Sequence, residues 1–143
     1  MPLERVPAAL RRVVAARARD YCEYCQSPAQ FATQSFTVEH IQPRAAGGET
    51  TLGNLAWACF GCNGHKQARM HVVDPESGQR VALFNPRQQT WHEHFAWSAD
   101  FTLVVGQTPC GRATVDALKL NRPGLVNLRR VLVVAGFQPP ADA

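Results

Sequence analysis

The chain has 143 residues, 45% of them hydrophobic, with a formal net charge of +4 and a pI near 9.0. That length reads as a single domain over residues 1–143, and the basic balance points to a polyanionic partner. No run approaches the roughly 20 apolar residues of a membrane helix and no apolar signal core opens the chain, so a cytoplasmic protein with no membrane contact is expected.

Residues 3–20 read as a helix, because Val6, Leu10, Val13 and Val14 recur at helical spacing and Pro7 fits a first turn. Its arginines, 5, 11, 12, 17 and 19, outnumber Glu4 and Asp20. They read first as the solvated face of a packing helix and second as a ledge for phosphates, and one helix with two faces can be both. Residues 21–25 form a tight knuckle, residues 26–34 a loop, and residues 36–41 alternate as a strand ended by Pro43. A wide loop over 45–53 follows, in which Gly47-Gly48 permits positive φ, then a short strand over 55–58 and a helix from 61 or 62 to about 70.

Farther on, Asp74 to Gly78 reads as the turn of a hairpin between residues 72–73 and 81–83. Residues 89–95 suggest a short helix, 101–105 a strand, and 114–120 and 123–135 two helices, the second stopped by Gly136. Trp57, Trp91, Phe95 and Trp97 are core candidates, whereas His65, His71, His92 and His94 suit surface or packing roles better than ligation.

The chemistry concentrates between the cysteines. Cys22/Cys25 and Cys59/Cys62 are two Cys-x-x-Cys pairs, with Cys110 left as a free thiol. Close pairs suit metal binding in a reducing compartment better than a disulfide framework. Four thiolates close a tetrahedral shell around one Zn²⁺, and full thiolate ligation leaves no open position for catalysis. With residues 26–58 between the pairs, such an ion clips together the ends of a long hairpin.

Inside that clip stand Val38-Glu39-His40-Ile41, Pro43-Arg44, Gly47-Gly48, Asn54-Leu55, Cys59-x-x-Cys62-Asn63 and Lys66. In this order and spacing they resemble the HNH endonuclease family over residues 20–67. The resemblance implies an α+β fold: a small ββα-metal core over 20–70 clipped by the four-cysteine zinc site. An N-terminal helix and a mixed strand-and-helix covering layer over 71–143 complete it. The implied activity is metal-dependent hydrolysis of phosphodiester bonds in DNA, with RNA also open. His40 is the implied general base, Glu39 and Asn63 the ligands of Mg²⁺ or Mn²⁺, and Asn54 the tether of the loop or the orienter of the histidine. Lys66, Arg44 and Arg12 are the expected nucleic-acid contacts, with a plain solvated lysine the alternative at Lys66. Asn63 stands where the family's final histidine falls, and its amide oxygen can still bind a hard cation.

Neighbours on a strand point to opposite faces, so Glu39 and His40 meet one ligand only if the strand is bulged or distorted there. Two other readings remain: a zinc-stabilised nucleic-acid-binding module with a degenerate nuclease site, and an interaction protein that shares only the knuckle. Against the second of these, a mere scaffold has no use for an acidic-His pair inside the clip.

Overall fold

A computed structural model describes residues 6–141. Between the cysteine pairs the chain makes two antiparallel strands, and a helix begins within the second pair. Strand β1 (Thr37–His40) pairs with β2 (Leu55–Ala58) residue for residue, Thr37 opposite Ala58 and His40 opposite Leu55. All four residues of β2 are buried. Helix α2 (Phe60–Lys66) follows at once, capped by Cys59, whose Sγ accepts from the Cys62 amide at 3.4 Å. It stops short of residue 70 because Gln67 turns to a φ of 54°. The Arg69 guanidinium then takes up carbonyls of the last turn, those of His65 and Lys66.

Helix α1 (Ala8–Arg17) packs on β2. Residues 1–5, which include the start of the expected helix, lie outside the described residues. At the other end Arg19 and Asp20 take φ of 56° and 61°, which swings the chain into the first cysteine knuckle. Two of its arginines are struts rather than a free ledge. Arg11 donates to the Phe36 carbonyl at 2.8 Å and lies 4.6 Å over the Trp57 ring. Arg17 donates to the Leu52 carbonyl at 2.8 Å and also to that of Leu55.

The remaining chain wraps this unit. Strands β3 (His71–Val73) and β4 (Arg80–Ala82) form the expected hairpin. Its buried Asp74 accepts from Ser77 and, through both oxygens, from Arg112, which hold the carboxyl well below the usual carboxylate range. Helix α3 is only Trp91–His94, since Phe95 leaves it to open β5 (Phe95–Trp97) against β6 (Val104–Gly106). The expected strand over 101–105 is thus shifted toward Gly106. Helix α4 is Pro109–Ala117, starting five residues earlier than its apolar spacing indicated. The Thr108 hydroxyl accepts from the Gly111 amide at 3.0 Å, and Pro109 pre-sets the first turn. Helix α5 (Pro123–Ala135) has the expected limits, with Gly136 at a φ of 85°. Trp57, Trp91, Phe95, Phe84, Leu55, Leu118 and Leu120 form one core shared by both parts of the chain.

Candidate active site and metal centre

The four cysteines converge as their spacing implied. Cys22, Cys25, Cys59 and Cys62 are all buried, with their sulfurs within 4.8 Å of one another. Cys25 and Cys59, from opposite pairs, stand 3.7 Å apart. A tetrahedron of Zn–S bonds near 2.3 Å has edges of about 3.8 Å, so the donor set fits that ion in chemistry and the Cys25–Cys59 edge matches it in length. Cys110 is a half-buried free thiol elsewhere, its pKa pushed up by burial.

Strand β1 carries no inserted residue, so the bulge that would turn Glu39 and His40 to one ligand is absent and the two side chains diverge. Glu39 points inward and is 4% exposed. Its Oε2 accepts from the Tyr24 hydroxyl at 2.6 Å, and its Oε1 lies 2.5 Å from the Lys66 ammonium. Lys66 is itself only 1% exposed, and its Nζ also donates to the Ile41 carbonyl at 3.2 Å. Desolvation pushes the Glu39 carboxyl up while Lys66 pulls the other way.

This geometry bears on two expectations. Lys66, though it lines the cleft beside the 41–54 loop, is turned inward against Glu39 and presents almost no surface to a phosphate. Glu39 offers a dication no open oxygen, because both oxygens face protein partners. Oε1 receives no well-directed hydrogen bond, yet the ammonium lies directly against it. A dication held by Glu39 and Asn63 therefore does not fit this arrangement unless Lys66 is displaced.

His40, half-buried, turns the other way. Its Nε2 lies 2.9 Å from the Thr50 hydroxyl and 3.3 Å from the Arg44 Nε. A guanidinium N–H can only donate, so Nε2 is the lone-pair nitrogen and the neutral ring carries its proton on Nδ1. Desolvation and then the Arg44 charge hold the His40 pKa below the ordinary histidine value. Arg44 also donates to Thr50 at 3.3 Å, so His40 shares a polar cluster with two side chains of the loop that follows it.

Asn54 closes that loop. Its Oδ1 accepts from the Gln42 amide at 2.8 Å, and its Nδ2 donates to the carbonyls of Gln42 at 3.0 Å and Glu49 at 2.8 Å. Gly48 makes the close approach possible: a Cβ there would stand 1.8 Å from the Gln42 carbonyl oxygen. Gly47, with a φ of 89°, completes the turn.

Asn63 lies in the first turns of α2, half-buried, with its backbone in helical hydrogen bonds to Cys59 and Gln67. It precedes Lys66 by three residues, hence on the same helical face. Arg12 and Arg44 are exposed, as a contact with a polyanion requires. His65, His71 and His92 are exposed, and His94 bonds Thr108 at 2.7 Å. A cleft of about 920 Å³ runs between the 41–54 loop and residues 82–89, and His40 is not among its walls. Sequence reasoning missed Tyr24 and Thr50. Tyr24 is hidden inside the first Cys-x-x-Cys, and Thr50 sits in a stretch without periodicity.

Residues 22–69 match the family model described as HNH endonuclease. No curated protein and no solved structure matches the chain.

Proposed function

We propose, from the premise that residues 22–69 are an HNH endonuclease segment, that this chain hydrolyses phosphodiester bonds in DNA. His40 serves as the general base, on a scaffold clipped by Zn²⁺ at the four cysteines. The observation that supports the reading is the setting of His40, whose Nε2, the basic nitrogen of the ring, accepts from the Arg44 guanidinium and lies beside the Thr50 hydroxyl. Such a ring takes the proton from a water as the water attacks phosphorus, the bond from phosphorus to the 3′ oxygen breaks, and that oxygen leaves with a proton from solvent. Arg44 stands where it meets the negative charge that develops on the phosphoryl oxygens. Thr50 fixes the rotation of the ring, and Asn54 with Gly48 fixes the loop that presents Arg44 and Thr50. Arg44 and Arg12 are the proposed nucleic-acid contacts.

Mg²⁺ or Mn²⁺ would bring positive charge to the phosphate. No residue of this chain is given a step that depends on it, since Lys66 already supplies the charge beside Glu39. That closed ion pair favours a second reading, a zinc-stabilised module that binds nucleic acid without cutting it. Supercoiled plasmid separates the two when incubated with the protein, with and without Mg²⁺ or Mn²⁺. The nuclease reading requires nicking that falls on the order of 10²–10⁴-fold in His40→Ala, with zinc content and DNA affinity retained. Wild-type protein that retards DNA but nicks none of it under either condition establishes the binding module instead.

A further inference from the structure

The cysteine cluster has a fifth neighbour, supplied by the far end of the chain. Arg122, the residue before the first turn of α5, directs its guanidinium at the sulfurs. Nη2 donates to Cys59 Sγ at 3.3 Å, and Nη1 and Nη2 approach Cys62 Sγ at 3.6 and 3.7 Å. From behind, Nη1 also donates to the carbonyls of Leu118 and Lys119, at 3.2 Å each, which fixes the plane of the group. Gly61, between the two cysteines, leaves the room: a Cβ there would lie 2.4 Å from Nη2 and 2.8 Å from Cζ. Arg129 makes the contrast. It is more deeply placed, at 3% exposed, but donates to the carbonyls of Thr102 and Leu120 and to Asn121, not to sulfur.

We infer that Arg122 is a positioning residue of the metal centre, one that neutralises and orients Cys59 and Cys62 and so sets how tightly the ion is held. The inference rests on the zinc reading of the cluster, and is independent of whether the protein cuts DNA. Four thiolates around one Zn²⁺ leave an excess of negative charge, and buried charge is costly unless paired and hydrogen-bonded. A guanidinium supplies a fixed positive charge and two donors in a planar fork, which an ammonium does not. The N–H···S bonds draw electron density from the sulfurs and hold their lone pairs toward the ion. The C-terminal extension therefore reaches into the metal centre and is more than a cover.

The test is competition for zinc between the full-length, zinc-loaded protein and a chromophoric chelator. Arg122→Met is expected to lower zinc affinity by about 10–100-fold, the usual effect of removing an outer partner of a metal ligand. Arg122→Lys keeps the charge but not the fork, and should fall between that variant and wild type. Gly61→Ala leaves every ligand and charge in place and displaces only the guanidinium, so it should weaken zinc in the same direction. It also keeps the test decisive if Arg122→Met does not fold. Because binding of a structural zinc is coupled to folding, Arg129→Met, which removes a buried arginine that bonds carbonyls and Asn121 instead of the cysteines, is the control for lost stability. A loss of zinc affinity as large in Arg129→Met as in Arg122→Met overturns the inference, and so does equal zinc affinity in wild type, Arg122→Met, Arg122→Lys and Gly61→Ala. Wild type that takes up no zinc overturns it together with the zinc reading. Weaker zinc in the variants of a protein that nicks no DNA supports the inference and leaves only the nuclease reading refuted.

Discussion

The cysteine cluster and the Glu39–His40 pair lie on the same short hairpin and have opposite geometries. The four sulfurs arrive on two knuckles and converge on one point. Glu39 and His40 are adjacent in sequence and diverge, one into the core and one toward the loop. A Cys-x-x-Cys turn brings its two side chains to one side, whereas a regular strand sends neighbours apart. Adjacency in the sequence thus reports a shared site only where the backbone between the residues is a turn. On β1 the acidic residue is spent on holding helix to strand, which leaves the histidine to act with residues of the loop.

The largest effect expected from breaking this contrast is at the cluster. If zinc joins the two pairs, strong chelation, or Cys59→Ser, should remove most of the folded structure, because a structural ion's binding energy is folding energy. Far-UV circular dichroism during chelator titration checks it. A fully folded, zinc-free chain would show that the core alone holds the hairpin.

The next effect concerns Glu39 and Lys66. Lys66→Met leaves a buried carboxylate without its cation and should cost about 3–5 kcal/mol in urea unfolding. The double variant Glu39→Gln/Lys66→Met should recover much of that loss. Desolvation already raises the Glu39 pKa, and removing Lys66 raises it further. A group whose pKa is raised on folding contributes stability at pH below its unfolded value, and that contribution is lost as pH rises through the folded value. The Lys66→Met defect should therefore be smaller in mild acid than at neutral pH. A defect that is equal at both, or no recovery in the double variant, would mean that the pair is not what joins α2 to β1.

The smallest effect sharpens the other side of the comparison. The acid limb of the pH–activity profile should lie below the ordinary histidine value near 6.5, because burial and Arg44 both disfavour the imidazolium. Arg44→Ala removes the second cause and keeps the first, so the limb should move up by less than about one pH unit, alongside a loss of rate. An unmoved limb would detach Arg44 from His40 and leave it as a contact to the nucleic acid alone.

The sequence by itself determined the cluster, the two strands and α5. Cys-x-x-Cys spacing, β-rich alternation before Pro43 and a leucine stripe ended by Gly136 are local patterns, and local backbone geometry realises them directly. It also marked His40, Asn54 and Asn63 through the order of the motif. Only the tertiary structure decided the fate of the charges. Lys66 looked like a phosphate contact because lysines are usually solvated, but helix α2 lays it over β1, where an unpaired Glu39 would be too costly to bury. Arg11, Arg17 and Arg122 are likewise drawn to carbonyls and sulfurs between 25 and 63 residues away. The short α3 and the β5–β6 pair depend on Phe95 meeting Gly106 across a turn, which no local period encodes. A charged side chain's role is set by which buried partner the fold brings within reach, and that partner is rarely its neighbour in the chain.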